Sequence, residues 1–173
     1  MRLPVIDAEE LRRALPMEAA IDALEAAFRG TLPRAPLRSH VETPAGTLLL
    51  MPSAGDAGVG VKLVTLTPDN AERGLPFIHA AYILFDGRTQ APLAVLDGAA
   101  LTALRTAAVS GLATRYLARP EARSLVVFGA GVQARVHLEA MRAVRRVERV
   151  TVVSRTLVWL VLTCAVTVPL PHA

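Results

Sequence analysis

A chain of 173 residues with 53% hydrophobic and 20% charged content has material for one full domain, or one and part of another. It is too apolar for an intrinsically disordered protein. The net charge of +4 comes from scattered basic residues. The one local cluster, Arg142, Arg145, Arg146 and Arg149, reads as a solvated helix end, so nucleic-acid binding is not expected.

A single cysteine, Cys164, excludes a disulfide framework and a thiolate zinc site, and the four histidines show no metal-ligand spacing. The start, "MRLPVIDAEEL", lacks the basic and apolar regions of a signal peptide. A cytoplasmic protein without membrane association is the expectation.

"IDAEEL" predicts a helix start, with Asp7 as cap and Glu10 completing a capping box. Pro16 opens a second helix, on which Met17, Ile21, Leu24 and Phe28 share a face before Gly30 ends it. "RSHVET" and "GTLLLMP" flank Pro44 and Ala45 as a hairpin. "GVGVKLVTLTP" alternates, with Val61, Leu63 and Thr65 on one face and Lys62 and Val64 on the other. "PFIHAAYILFD" and "APLAVLDG" are two more strands joined by the turn at 87–90. Together these predict a mostly antiparallel sheet.

"AALTALRTAAVSGLATRYLAR" then predicts a long helix with Leu101, Leu104, Arg105, Ala108 and Leu112 facing inward. "SLVVFGAG", "VQARVHLEAMRAV" and "VERVTVVSR" follow as strand and glycine turn, helix, and strand, which is a βαβ unit. The tail from Leu157 is apolar and uncharged. Its apolar run is too short to span a bilayer comfortably.

Three stretches carry chemistry. Gly129-Ala130-Gly131-Val132-Gln133-Ala134 fits the dinucleotide-binding fingerprint G-x-G-x-x-G/A. Its first glycine makes the tight turn, its second lets a pyrophosphate approach the backbone, and Ala134 lets helix and strand pack closely. The helix N-terminus then offers N–H groups to phosphate. At the end of the next strand, where an acidic residue would hold the ribose 2′-hydroxyl of NAD, stand Ser154, Arg155 and Thr156. Hydroxyls and a guanidinium suit a 2′-phosphate, which favours NADP(H) over NAD(H).

The third stretch is a set of cations. Of the 19 basic residues one is a lysine, Lys62, which hints at a site needing a compact ammonium. Arg38, Lys62 and Arg105 each interrupt apolar surroundings. A buried cation is costly unless paired, so together they suggest a pocket for a carboxylate or phosphate. Each alone reads more readily as a structural or surface-facing residue.

"MPSAGDAGVGVKLVTLTPDNAERGLP", "LDGAALTALRTAAVSGLATRYLA" and "VVFGAGVQA" resemble, in that order, the ornithine cyclodeaminase/mu-crystallin family, over residues 3 to 156. The resemblance implies an α/β protein: an α+β substrate and dimerisation domain at 1–119, then a truncated Rossmann-type NAD(P)-binding domain beginning at 120–156. It implies a homodimer and a small amino acid or cyclic imine as substrate. The chemistry implied is hydride transfer at an α-carbon, as in cyclodeamination, ketimine reduction or amino-acid dehydrogenation.

By the same resemblance Arg38 and Lys62 bind the substrate carboxylate, and Lys62 and Arg105 are the catalytic candidates. Arg105 and Thr106 contact the cofactor, Gly129, Gly131, Val132 and Gln133 line the pyrophosphate, and Ser154, Arg155 and Thr156 the adenosine ribose. The sequence departs from the family pattern after Thr156. The further strands and the acidic residue serving as acid/base are not in it, and 157–173 reads as an atypical, frameshifted tail. A non-catalytic protein binding a nucleotide or small carboxylate, or an inactive fragment, is the alternative.

Overall fold

The computed structural model describes residues 2–55, 58–154 and 166–169. The chain divides into two compact units, Met1–Ala14 with Phe28–Thr102, and Leu15–Ala27 with Ala103–Ala173.

The first unit is built on a six-stranded sheet. Its strands are β1 (Val5–Ile6), β2 (Ser39–Thr43), β3 (Gly46–Gly55), β4 (Gly58–Leu66), β5 (Ile78–Phe85) and β6 (Pro92–Asp97), in the order β1-β6-β5-β4-β3-β2. Strands β2 to β6 pair antiparallel with their chain neighbours, as the alternation predicts, while β1 joins β6 in parallel. The β2–β3 hairpin closes over Pro44 and Ala45, with Thr43 opposite Gly46. Gly46 has φ +149°, and a Cβ there would collide with the Leu66 carbonyl, so the hairpin end requires glycine.

Asp7 caps α1 (Ala8–Ala14) in the predicted capping box. Its Oδ1 accepts from the Glu9 and Glu10 N–H groups at 2.8 Å each, and Glu10 Oε2 accepts from the Asp7 N–H at 3.0 Å. These bonds hold the Asp7 carboxyl below the usual carboxylate range.

The second unit holds α2 (Met17–Arg29) over its residues to Ala27, most of α3 (Gly98–Leu117), and the βαβ unit. That unit comprises β7 (Ser124–Phe128), α4 (Val132–Val144) and β8 (Arg149–Val153), with β7 and β8 parallel. β9 (Val166–Pro169) lies antiparallel along the other side of β8, so that edge of the pair is hydrogen-bonded. The core joins Met17, Ala20 and Ile21 of α2 to Leu104, Ala107, Ala108 and Leu112 of α3 and Ala140 of α4. Gly111 completes it: a Cβ there would lie 2.8 Å from Ile21 Cδ1.

Three expectations are corrected. Phe28 is 58% exposed, because the buried face of α2 ends a turn earlier, at the half-buried Leu24. Arg105 is exposed rather than inward; its neighbours Leu104, Ala107 and Ala108 already fill the α3 contact face. Arg145 is drawn out of the solvated cluster and is half-buried. Its guanidinium donates to the carbonyls of Arg115 and Ala118 at 3.0 and 2.8 Å, which satisfies acceptors at the end of α3.

Ile21 is fully buried, so Ile21→Ala should cost about 3 kcal/mol in urea unfolding, with an unchanged m-value. A loss below about 1 kcal/mol would mean that this core is not what holds the unit.

Candidate functional site

Two places carry the predicted chemistry, one in each unit. The first is a face of the six-stranded sheet. Gly60 and Val64 of β4 are buried and Lys62 between them is half-buried, so the period of two puts the ammonium on the covered face. Lys62 Nζ donates to Thr102 Oγ1 at 3.1 Å, and Thr102 Oγ1 donates to the Gly98 carbonyl at 2.7 Å. Asp97 caps this first turn of α3, accepting from the Ala99 and Ala100 N–H groups at 2.9 Å each.

Lys62 stands opposite Met51 on β3 and Tyr82 on β5. Arg38 is exposed and directly precedes β2, whose ladder with β3 begins at Ser39 opposite Leu50. Met51, Lys62 and Tyr82 form one row across the sheet. The Tyr82 ring lies over Gly60, where any Cβ would collide with the phenol. Burial pushes the Tyr82 hydroxyl above its ordinary pKa.

The second place is the glycine turn between β7 and α4. Gly129 has φ +98°, a left-handed conformation that favours glycine, and its N–H donates to the Val153 carbonyl at 2.7 Å. That bond fastens the turn to the end of β8, next to Ser154. Gly131 is the α4 N-cap, at an ordinary φ of −81° and with no side-chain cap. Among the described residues, a Cβ added to Gly129 or Gly131 would meet no heavy atom within 4 Å. At Gly131, then, neither backbone conformation nor packing among the described residues requires glycine. The donor set is the turn's own N–H groups and the positive end of α4, with Val132 and Gln133 in the first helical turn. These residues fit a dinucleotide pyrophosphate.

Arg105 and Thr106 lie in α3, the arginine exposed and Thr106 half-buried. Ser154 follows β8 and is half-buried. Arg155 and Thr156 lie outside the described residues, as do 157–165 of the tail.

Sequence reasoning passed over Thr102, although "LTALRT" contains it. The signal was a hydroxyl four residues after the helix-start glycine. It also passed over Ser110 and His137. Ser110 Oγ lies 3.1 Å from His137 Nε2, and His137 Nδ1 lies 2.8 Å from the Gln133 carbonyl. A carbonyl only accepts, so Nδ1 carries a proton; the one Ser110 hydroxyl proton faces both His137 Nε2 and the Thr106 carbonyl, the latter at 3.3 Å. Both side chains line a cleft of about 380 Å³ with Phe128, Gln133 and Met141.

Comparison with known proteins gives one consistent result. The profile of the ornithine cyclodeaminase/mu-crystallin family matches residues 4–157. The chain is 38% identical over 159 residues to the delta(1)-pyrroline-2-carboxylate reductase of Bacillus cereus, covering 88% of this chain and 49% of that protein. Among solved structures, the delta(1)-pyrroline-2-carboxylate reductase of Thermococcus litoralis, in complex with NADH and L-proline, superposes with a TM-score of 0.80 at 37% identity, covering 89% of this chain and 50% of that one. An archaeal alanine dehydrogenase dimer with bound NAD superposes with a TM-score of 0.81 at 35% identity, covering 89% and 49%. The chain spans about half the length of the relatives it matches.

The packing around Lys62 is tested at Gly60. Gly60→Ala should destabilise the chain by about 1–3 kcal/mol by forcing Tyr82 aside, and should cost clearly less in a Tyr82→Leu background. Equal costs in the two backgrounds, measured by urea unfolding as a double-mutant cycle, would show that the two residues do not share this space.

Proposed function

The chain belongs to the ornithine cyclodeaminase/mu-crystallin family, and from that premise we propose that it serves NAD(P)-dependent hydride transfer at the α-carbon of a small amino acid or cyclic imine. Gly131 carries this reading. Its conformation is open to any residue and no described residue occupies the space around it, which supports a group that comes close from outside as the reason for its glycine. A pyrophosphate above the N-terminus of α4 is that group.

In this reading Gly129, Gly131, Val132 and Gln133 hold the pyrophosphate through backbone N–H groups and the α4 dipole. Ser154, Arg155 and Thr156 take the adenosine ribose. Arg155 stands where an acidic residue would select NAD, which favours NADP(H) over NAD(H). Arg105 and Thr106 contact the cofactor. The bound nicotinamide supplies or accepts the hydride.

The protein's own contribution is to bind and orient. Arg38 grips the substrate carboxylate in a bidentate fork and Lys62 adds a point charge. Neutralising that carboxylate leaves the α-carbon as the reacting position, and Lys62 and Arg105 stabilise charge that changes during transfer. Cyclic imine reduction is the reaction nearest to the named relatives. A homodimer acting in the cytoplasm, with a substrate and dimerisation domain at 1–119 and the start of a nucleotide-binding domain at 120–156, completes the proposal.

Titration of the chain with NADPH and NADH, followed by nucleotide fluorescence, tests it. We expect saturable binding, tighter for NADPH, and Arg155→Ala should weaken NADPH binding while leaving NADH nearly unchanged. Gly131→Ala should cost at least about tenfold in NADPH affinity, with unfolding stability kept within about 1 kcal/mol. Unchanged affinity in Gly131→Ala would remove the pyrophosphate from this turn. Saturable binding without reduction of 1-pyrroline-2-carboxylate would favour a binding protein over an enzyme.

A further inference from the structure

Polar contacts recur once per turn where α3 and α4 run side by side. Ser110 Oγ lies 3.1 Å from His137 Nε2, Thr114 Oγ1 donates to Met141 Sδ at 3.1 Å, and the Arg145 guanidinium donates to the Ala118 carbonyl at 2.8 Å. The members of each pair are 27 residues apart, and both advance by one turn from pair to pair. The two helices are therefore parallel here and keep one register over about two turns.

The apolar contact between them does little to fix that register. Ala140 of α4 is fully buried with Ala107 and Ala108 of α3, and a Cβ on Gly111 would lie 3.3 Å from it. Side chains this small permit close approach but interlock little, so sliding of one helix along the other is weakly opposed. Hydrogen bonds are directional and supply what the apolar contact lacks.

Of these pairs, Ser110 and His137 stand nearest the glycine turn, and each also reaches one turn back on its own helix. Ser110 Oγ is 3.3 Å from the Thr106 carbonyl, and His137 Nδ1–H donates to the Gln133 carbonyl at 2.8 Å. The Ser110 hydroxyl has one proton to give. Beside a neutral ring it goes to Nε2. Beside a charged ring Nε2–H donates to Oγ, and the hydroxyl proton goes to the Thr106 carbonyl. Either form of the ring thus keeps the joint between the helices. Its two ends lie on the backbone of Thr106 and Gln133, both assigned above to the cofactor.

We propose that Ser110 and His137 are positioning residues for the cofactor. They lock the first turn of α4 against α3, so that Thr106 and Gln133 keep one spacing and meet the nucleotide without being reordered. This rests on the reading of those two residues as cofactor contacts. Ser110 and His137 act from one turn behind them.

Titration with NADPH tests the joint. Ser110→Ala and His137→Leu should each weaken binding about fivefold, and the double variant no more than the worse of the two, because either change opens the same joint. His137→Gln places an amide where Nε2 stands and should return most of the affinity. His137→Asn keeps a donor near Nδ1 but does not reach Ser110, and should not. Urea unfolding of each variant reads stability separately from binding. The ring gives a further reading that needs no variant to fold. In 15N spectra of the unaltered chain with labelled histidine, taken where the ring is neutral, His137 should show the Nδ1–H tautomer, whereas free histidine favours Nε2–H.

A His137 ring in the Nε2–H form would overturn the proposal. So would folded Ser110→Ala and His137→Leu variants that bind NADPH like the unaltered chain, losses that add in the double variant, or a glutamine variant no better than the asparagine one. If the unaltered chain binds no NADPH, the cofactor reading falls and the proposal with it. Binding that survives loss of the joint overturns the proposal alone.

Discussion

The rest of the structure depends on how closely α3 can approach its neighbours. Its contact face is made of small residues. Gly98 reaches the backbone of β5, Ala107 and Ala108 are fully buried, and Gly111 stands against Ile21 and Ala140. Dispersion falls steeply with distance, so a face without large side chains gains from close backbone approach what it lacks in area. The ion pairs of Arg115 with Asp22 and Glu25, at 2.7 and 2.8 Å, add less than their number suggests. Asp22 is 65% exposed, and exposed pairs are screened by water. Shape, rather than charge, holds α2, α3 and α4 together, and the same helix brings Thr102 to Lys62.

Short-range signals were the legible part of the sequence. The capping box at Asp7 and Glu10, the hairpin at Pro44 and Ala45, and the strand–glycine–helix run at 124–144 each rest on residues within a few positions of one another. Each forms as its local chemistry dictates. Non-local signals were not legible. β1 is two residues long and pairs with β6 about ninety positions away, so no local alternation announces it. Arg105 was misplaced because the many alanines of α3 spread apolar character around the helix, leaving the buried face to be chosen by its partners, Ile21 and Ala140. Phe28 failed for the opposite reason: the pattern is periodic, but the partner surface ends before it.

At the candidate site the same division holds. The glycine turn could be read residue by residue, since backbone freedom and helix polarity are properties of the local chain. The setting of Lys62 between Met51 and Tyr82 could not, because it follows from the register of β3 and β5 on β4. Register in turn is set by which face each strand buries. Arg145 belongs here too. Its sequence neighbours are exposed arginines, and only the carbonyl end of α3, some thirty residues back, explains why this one turns inward.

The one lysine among so many arginines then has a physical account. A guanidinium is planar and needs its donors met along a fork. At the Lys62 position the lateral neighbours are Met51 and Tyr82, and the ammonium donates to the Thr102 hydroxyl. An ammonium brings three donors to this covered face, whereas an arginine would bring five. Unmet donors there would be costly. At Arg38, on the exposed margin of the sheet, water meets whatever a ligand does not, and the fork is tolerated. Exposure thus decides which cation each position can carry: a compact charge on the covered face, a planar one on the exposed margin.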